Sequence, residues 1–291
     1  MDEGRWPWAR RVPRRGIPRL MGLKSAPRAV VTGAASGLGR GFVEELLSQG
    51  ARVLASDVDE RGLEALASAL DAGDRLHLRR ADVSRPTEVA QLAEDADALW
   101  AGTDLVINNA GVGSAGPIGE VPLEEWDRVM GINFFGVMYG CHAFVPRMRR
   151  AGGGWVLNVA SAAGLIATPE MGAYNSSKAA VVALSETLRG EISGSGVGVS
   201  VLCPFFFKTN ILESGRFFGA ESAKRARLAE RFMNESPLDA RGVARFALEG
   251  SQRGDFYLIP HRAALSAWRL KRLVPERFDQ LSAALRRWVE R

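Results

Sequence analysis

Short apolar runs rich in β-branched residues recur along this chain, each separated from the next by a stretch with helical periodicity. Strands are read on this basis at 29–32, 52–56, 105–108, 154–160 and 197–203, with two further strands, less β-branched, at 76–81 and 256–259. Some, such as Val197-Gly198-Val199-Ser200-Val201-Leu202, carry no regular polar alternation. That is the look of strands covered on both faces, as in a parallel sheet. The segment after the first run repeats apolar residues at Phe42, Val43, Leu46 and Leu47, the spacing of a helix. Strand and helix in strict alternation predict an α/β fold, a doubly wound parallel sheet of about seven strands. A length of 291 residues suits one such domain, and no internal repeat interrupts the series.

Outside the alternation the chain changes character. Residues 1–26 interleave arginines with Pro7, Pro13 and Pro18 and show no apolar face, which predicts a disordered basic arm. Residues 27–260 then form the catalytic domain, and 261–291 a helical extension, read as two helices around Pro275. In the second helix Phe278, Leu281, Leu285 and Trp288 share one stripe, away from Asp279, Arg286, Arg287 and Glu290. Such a stripe is expected to dock on the domain or on a partner subunit, with peripheral membrane contact the less favoured reading.

The net charge of +5 sits at the ends of the chain: residues 1–20 carry +4 and 262–291 carry +5, so the body between is mildly acidic. Without a recognisable nucleic-acid module, this distribution argues against a nucleic-acid partner. Cys141 and Cys203 stand far apart outside any Cys-x-x-Cys pattern, and His77, His142 and His261 are isolated from one another. Neither a disulfide framework nor a metal site is expected. No apolar stretch is read as approaching the roughly 18 residues of a membrane span, and a cytoplasmic location is expected.

The chemistry is concentrated in Tyr174-Asn175-Ser176-Ser177-Lys178. Four residues apart on a helix, Tyr174 and Lys178 share a face, so the ammonium can lower the phenol's pKa and make it a usable general acid/base. The Ser161 hydroxyl, a short way upstream, could steady charge developing on a substrate oxygen. Near the N-terminus the first run leads into Gly33-Ala34-Ala35-Ser36-Gly37-Leu38-Gly39 and then a helix. Glycines in such a turn let a pyrophosphate approach the N–H groups at the helix N-terminus. Asp57 closes the second run, where its carboxylate can accept hydrogen bonds from an adenosine ribose and repel a 2′-phosphate.

Taken in order, these residues resemble the short-chain dehydrogenase/reductase family in its compact single-domain form. The resemblance spans roughly 28–260 and rests on Thr32-Gly33-x-x-x-Gly37-x-Gly39, Asp82-Val83, Asn108-Asn109-Ala110-Gly111, Asn133 in the fourth helix, Ser161, Tyr174-x-x-x-Lys178, and Cys203-Pro204 with Thr209. It implies a Rossmann-type sheet and the interconversion of an alcohol and its carbonyl by hydride transfer. By that resemblance Tyr174 donates or accepts the proton, Lys178 holds the nicotinamide ribose, Ser161 orients the substrate and Asn133 supports a water in a proton relay. The implied cofactor-binding set is Gly33, Ser36, Gly37, Leu38, Gly39, Asp57, Asp82, Val83, Asn109, Ala110, Gly111, Tyr174, Lys178, Pro204, Phe207 and Thr209. Asp57, with Ser36 and Val58 where NADP-using members commonly carry basic residues, favours NAD. Arg40 and Arg61 leave NADP open.

One departure stands out: the family's Pro-Gly is Pro204-Phe205 here, followed by Phe206 and Phe207. Together with Ile211, Leu212, Phe217 and Phe218, these rings suggest that the substrate-covering segment 205–236 is apolar and the substrate a lipophilic alcohol or carbonyl. An NADP-dependent carbonyl reductase, or a non-catalytic cofactor-binding protein on the same fold, is the alternative. The resemblance further implies a homodimer or homotetramer, with a dimer formed through the fourth and fifth helices.

Overall fold

A computed structural model describes residues 27–208 and 215–278. The basic arm, Thr209, Ile211, Leu212, and the stripe residues Leu281, Leu285 and Trp288 lie outside the described residues. Within them the chain alternates as its apolar pattern predicts: β1 (Arg28–Thr32), α1 (Gly37–Ser48), β2 (Arg52–Asp57), α2 (Glu60–Leu70), β3 (Leu76–Arg80), α3 (Pro86–Trp100) and β4 (Leu105–Asn108). A two-residue strand, β5 (Ser114–Ala115), and a long helix, α4 (Leu123–Arg150), follow. Next come β6 (Gly154–Val159), α5 (Gly172–Glu191), β7 (Val197–Leu202), β8 (Arg216–Phe217), α6 (Ser222–Asn234), α7 (Ala240–Arg253), β9 (Tyr257–Leu258) and α8 (Arg262–Leu273).

Seven strands form one sheet in the order β3-β2-β1-β4-β6-β7-β9, parallel at every pairing. Successive residues of a strand point to opposite faces, so the central strands feed two cores. Val30, Val106, Val156 and Val201 pack beneath α3, α4 and α5 with Leu92, Phe144, Met148 and Val181. Val31, Ile107, Leu157 and Leu202 pack on the other face beneath α1, α2 and α7 with Phe42, Leu66 and Val243. Burial on both faces explains why the strands read as continuous apolar runs. On the second face, Glu45 of α1 is buried and pairs with Arg241 at 3.1 Å and Arg245 at 3.3 Å, tying α1 to α7.

Two features depart from the sequence reading. The first is α4, which by length and composition is apolar enough to cross a membrane, contrary to the expectation that no stretch qualifies. Half of its apolar window is buried inside the domain, and Val137, Phe144, Val145 and Met148 fill the core. The second is the small parallel pair of β5 and β8, too short for any periodicity to announce. It is braced by buried Glu125, which pairs with Arg128 at 2.8 Å and Arg216 at 3.2 Å. In the C-terminal extension α8 stops at Leu273, helix resumes at Pro275, and Phe278 is buried. Lys271 Nζ donates to the Leu165 carbonyl, holding α8 against the body.

Candidate active site

Every described residue of the expected site lies at or beyond the carboxyl ends of the sheet strands, or on α1, α4 or α5 beside them. The strand order reverses between β1 and β4, which is where a doubly wound sheet opens a crevice for a ligand. Gly33 follows β1 with φ +65°, a left-handed conformation that favours glycine. A methyl at Gly39 would lie 1.8 Å from the Gly33 carbonyl oxygen, so only glycine lets the turn fold back this tightly onto α1. Ser36 stands at the N-cap of α1 without a side-chain capping bond, and the first turn carries no acidic residue. The α1 N-terminus therefore offers backbone donors and a positive dipole end to a pyrophosphate, and the glycine cradle fits a dinucleotide. Leu38 is buried beneath the turn.

Neighbouring strand ends add to this cradle. Asp57 Oδ2 accepts the Ala35 N–H at 3.0 Å and Oδ1 accepts the Asp59 N–H at 3.0 Å, which fixes the carboxylate while leaving lone pairs on both oxygens. After β3, Asp82 accepts two hydrogen bonds from Ser84, at 2.9 Å from its N–H and 2.7 Å from its hydroxyl. Burial pushes the Asp82 carboxyl up, but those bonds and the charges of Arg85 and Arg80 outweigh it and hold the group below its ordinary range. Val83 is buried against Gly136 of α4. At the end of β4, Asn109 Nδ2 donates to the carbonyls of Thr32 and Gly33 at 2.9 and 3.1 Å. Thr32 Oγ1 accepts the N–H groups of Asn109 and Ala110, binding the β1 and β4 ends together. In the sequence Thr32 is visible only as the lead of the glycine motif; in the fold its hydroxyl joins two strand ends.

The structure brings Ser161, Tyr174, Lys178 and Asn133 together around the ends of β4 and β6. Ser161 follows β6, and its Oγ accepts the Ala163 N–H at 3.1 Å. Tyr174 and Lys178 lie on one face of α5 as their spacing predicts, with Nζ 5.9 Å from the phenol ring centre. Lys178 Nζ donates to the Val159 carbonyl at 3.0 Å, and a methyl added at Gly111 would lie 3.3 Å from both Nζ and Asn133 Oδ1. The expected lowering of the phenol's pKa by Lys178 is not what the protein alone provides. Burial pushes the Tyr174 phenol up, opposed by its hydrogen bond with Ser161, while burial pulls the Lys178 ammonium down to about 8. Desolvation penalises the charged form of each group, so the two proton affinities move apart, the phenol holding its proton more tightly and the ammonium less.

Asn133 sits where α4 widens into a π-helical turn over Gly131–Phe135. Its Oδ1 accepts the Val112 N–H at 2.8 Å, and its Nδ2 donates to the Val112 carbonyl at 3.0 Å and to Ser177 Oγ at 3.2 Å. Ser177, between Tyr174 and Lys178 in sequence, was not singled out from the sequence.

Past β7, the Pro204 carbonyl accepts the Ala162 N–H at 2.8 Å, joining this strand end to that of β6. The three phenylalanines divide by role. Phe207 is buried in the core beneath α7, so its ring is packing. Phe205 is 42% exposed and meets Phe206 edge-on at 4.9 Å, and Phe206 stacks on Phe232 of α6 at 5.5 Å. His261 is buried, and its Nδ1 accepts the Phe205 N–H at 3.2 Å. Among the described residues no cluster of His, Cys, Asp and Glu could hold a metal, and both cysteines are buried free thiols.

Comparison with known proteins places these observations. The family model described as short chain dehydrogenase matches residues 27–216. A probable oxidoreductase of Mycobacterium tuberculosis, EphD, is 36% identical over 219 residues, 75% of this chain and 37% of that protein. The chain thus spans little more than a third of the length of the EphD proteins it matches. A D-beta-hydroxybutyrate dehydrogenase of Rhizobium meliloti is 31% identical over 75% of this chain and 85% of its own. Among solved structures, a short chain dehydrogenase/reductase from Burkholderia phymatum in complex with NAD is 35% identical. It superposes with a TM-score of 0.82, covering 87% of this chain and 95% of its own.

Proposed function

The chain belongs to the short-chain dehydrogenase/reductase family of oxidoreductases, which use a nicotinamide cofactor, and from that premise we propose that it is an NAD-dependent dehydrogenase interconverting a lipophilic alcohol and its carbonyl. The observation that carries the reading is the convergence of Ser161, Tyr174 and Lys178 on one edge of the sheet, beside a glycine cradle built for a dinucleotide. The bound nicotinamide supplies the hydride chemistry. As the phenolate, Tyr174 takes the proton of the alcohol as the carbonyl forms, and the resulting phenol returns it in the reverse direction. Ser161, close enough to Tyr174 to oppose the rise of its pKa, holds the substrate oxygen at the phenol. Lys178 presents a buried ammonium to the cofactor ribose and to the phenolate formed during turnover. The Asn133 carboxamide is engaged at both ends, so it fixes residues 111–113 beside Lys178 and leaves any relay water to its main chain.

Asp57 supports NAD over NADP, because a second negative charge from a 2′-phosphate would face a carboxylate held in place by two backbone donors. The Phe205, Phe206 and Phe232 rings support a lipophilic substrate. Purified protein, NAD or NADP, and a panel of fatty, terpenoid and steroid alcohols test the reading by absorbance of the reduced cofactor. Turnover with NAD is expected, and Tyr174→Phe should lose about 10²-fold or more of it while still binding NAD. Wild-type turnover in that variant, or none by the unmodified protein with any alcohol, overturns the proposal.

A further inference from the structure

His261 lies three positions beyond the last strand, far in sequence from the catalytic group, yet it touches both borders of the segment 205–236. Its Nδ1 accepts the N–H of Phe205 at 3.2 Å, and its Nε2 lies 3.4 Å from Ser236 Oγ. The hydrogen bonds around Ser236 fix which nitrogen carries the proton. Ser236 Oγ accepts the Leu238 N–H at 3.3 Å and donates to the Leu238 carbonyl at 3.2 Å, so toward His261 it can only accept. Nδ1 must be bare to accept from Phe205, and Nε2 must carry hydrogen to donate to Ser236. Both demands are met by a single neutral tautomer, and burial, which disfavours the charged ring, works in the same direction. The ring is further held between Phe205 and Phe207, with centres 6.4 and 6.5 Å away. Between the two borders lies a cleft of about 330 Å³ lined by Lys208, Asn234, Ser236, Pro237, Leu238 and Asp239.

We propose that His261 is a positioning residue for the substrate: one imidazole pins both ends of the segment 205–236 and so sets where its aromatic wall stands over the bound alcohol. The inference rests on the reading of that segment as the substrate cover. The large residue at 205 makes the pin necessary. Where a glycine would place little over the crevice, the Phe205 ring must be directed, and its own N–H is the handle by which His261 directs it.

Three variants of the full-length protein separate the two ends. His261→Ala removes both bonds, Ser236→Ala removes one, and His261→Asn keeps an acceptor near the Nδ1 position. In His261→Ala the KM for the alcohol should rise about tenfold, with kcat and the KM for NAD within about twofold of wild type. His261→Asn should recover most of that loss, and Ser236→Ala should fall between. Limited trypsin digestion reads the same effect without turnover: cleavage at Lys208 and Arg216 should quicken about tenfold in His261→Ala and be slowed again in His261→Asn. If alcohol KM and cleavage rate both stay at wild-type values in His261→Ala, the pin does not exist. Parallel loss of kcat, both KM values and melting temperature, unrescued by asparagine, would make His261 a general structural residue and also overturn the proposal. A wild-type protein that oxidises no alcohol defeats the functional reading instead, and the trypsin rates still decide whether the imidazole holds the segment.

Discussion

A buried ammonium costs stability, and Lys178 shows how the site tolerates one. Among the described residues its ammonium donates to the Val159 carbonyl, and burial brings its pKa to about 8, against an ordinary value of 10.5. Between those values the unfolded chain binds a proton that the folded one does not, so folding stability rises with pH through this window. Below pH 8 the full penalty applies, and above 10.5 it vanishes. Lys178→Met should therefore stabilise the cofactor-free protein at pH 7, by up to about 3 kcal/mol. The gain should shrink as the pH approaches 10, which urea titrations at several pH values would show. Asp57 makes the complementary case, a half-buried charge held by backbone donors. Asp57→Asn should narrow the preference for NAD over NADP by about tenfold, read as the ratio of kcat/KM values for the two cofactors. At this scale the sequence was eloquent where spacing alone decides, as for Tyr174 and Lys178. It was silent on His261, whose two partners stand 56 and 25 residues away and meet it only once the sheet has formed.

Among the elements, α4 carries the most information that periodicity could not convey. An extra residue in its π-helical turn shifts the phase of the helix, so a 3.6-residue pattern read straight through misplaces the face on which Asn133 falls. The central strands β1, β2, β4, β6 and β7 were legible because burial on both faces makes them largely apolar, whereas β5 and β8 have only two residues each. Asn133→Ala would leave the Val112 N–H and carbonyl, and Ser177, without the amide that now joins them. A loss of about 1–3 kcal/mol is expected in equilibrium unfolding, together with a drop in turnover. Unchanged stability would mean that residues 111–113 hold their shape without it.

For the whole molecule, the family resemblance implies association through α4 and α5, and the exposed apolar residues on α4 agree. Leu123 is 76% and Phe135 40% exposed, and Phe135 stacks on Tyr139 at 6.1 Å one turn further on. Phe135→Glu should shift a dimer or tetramer to smaller species in analytical ultracentrifugation, and an unchanged distribution would move the interface elsewhere. The closing strand has a different consequence, one of timing. β9 joins the sheet through only two pairings with β7, Val201 with Tyr257 and Leu202 with Leu258, and His261 comes directly after it. During synthesis the glycine cradle, Ser161, Tyr174 and Lys178 all leave the ribosome well before residue 261, so by the proposal above the crevice can assemble before the residue that pins its aromatic cover has emerged. The last strand to form is thus the one that finishes the pocket, and a nascent chain acquires its place for a cofactor before it acquires a shape for its substrate.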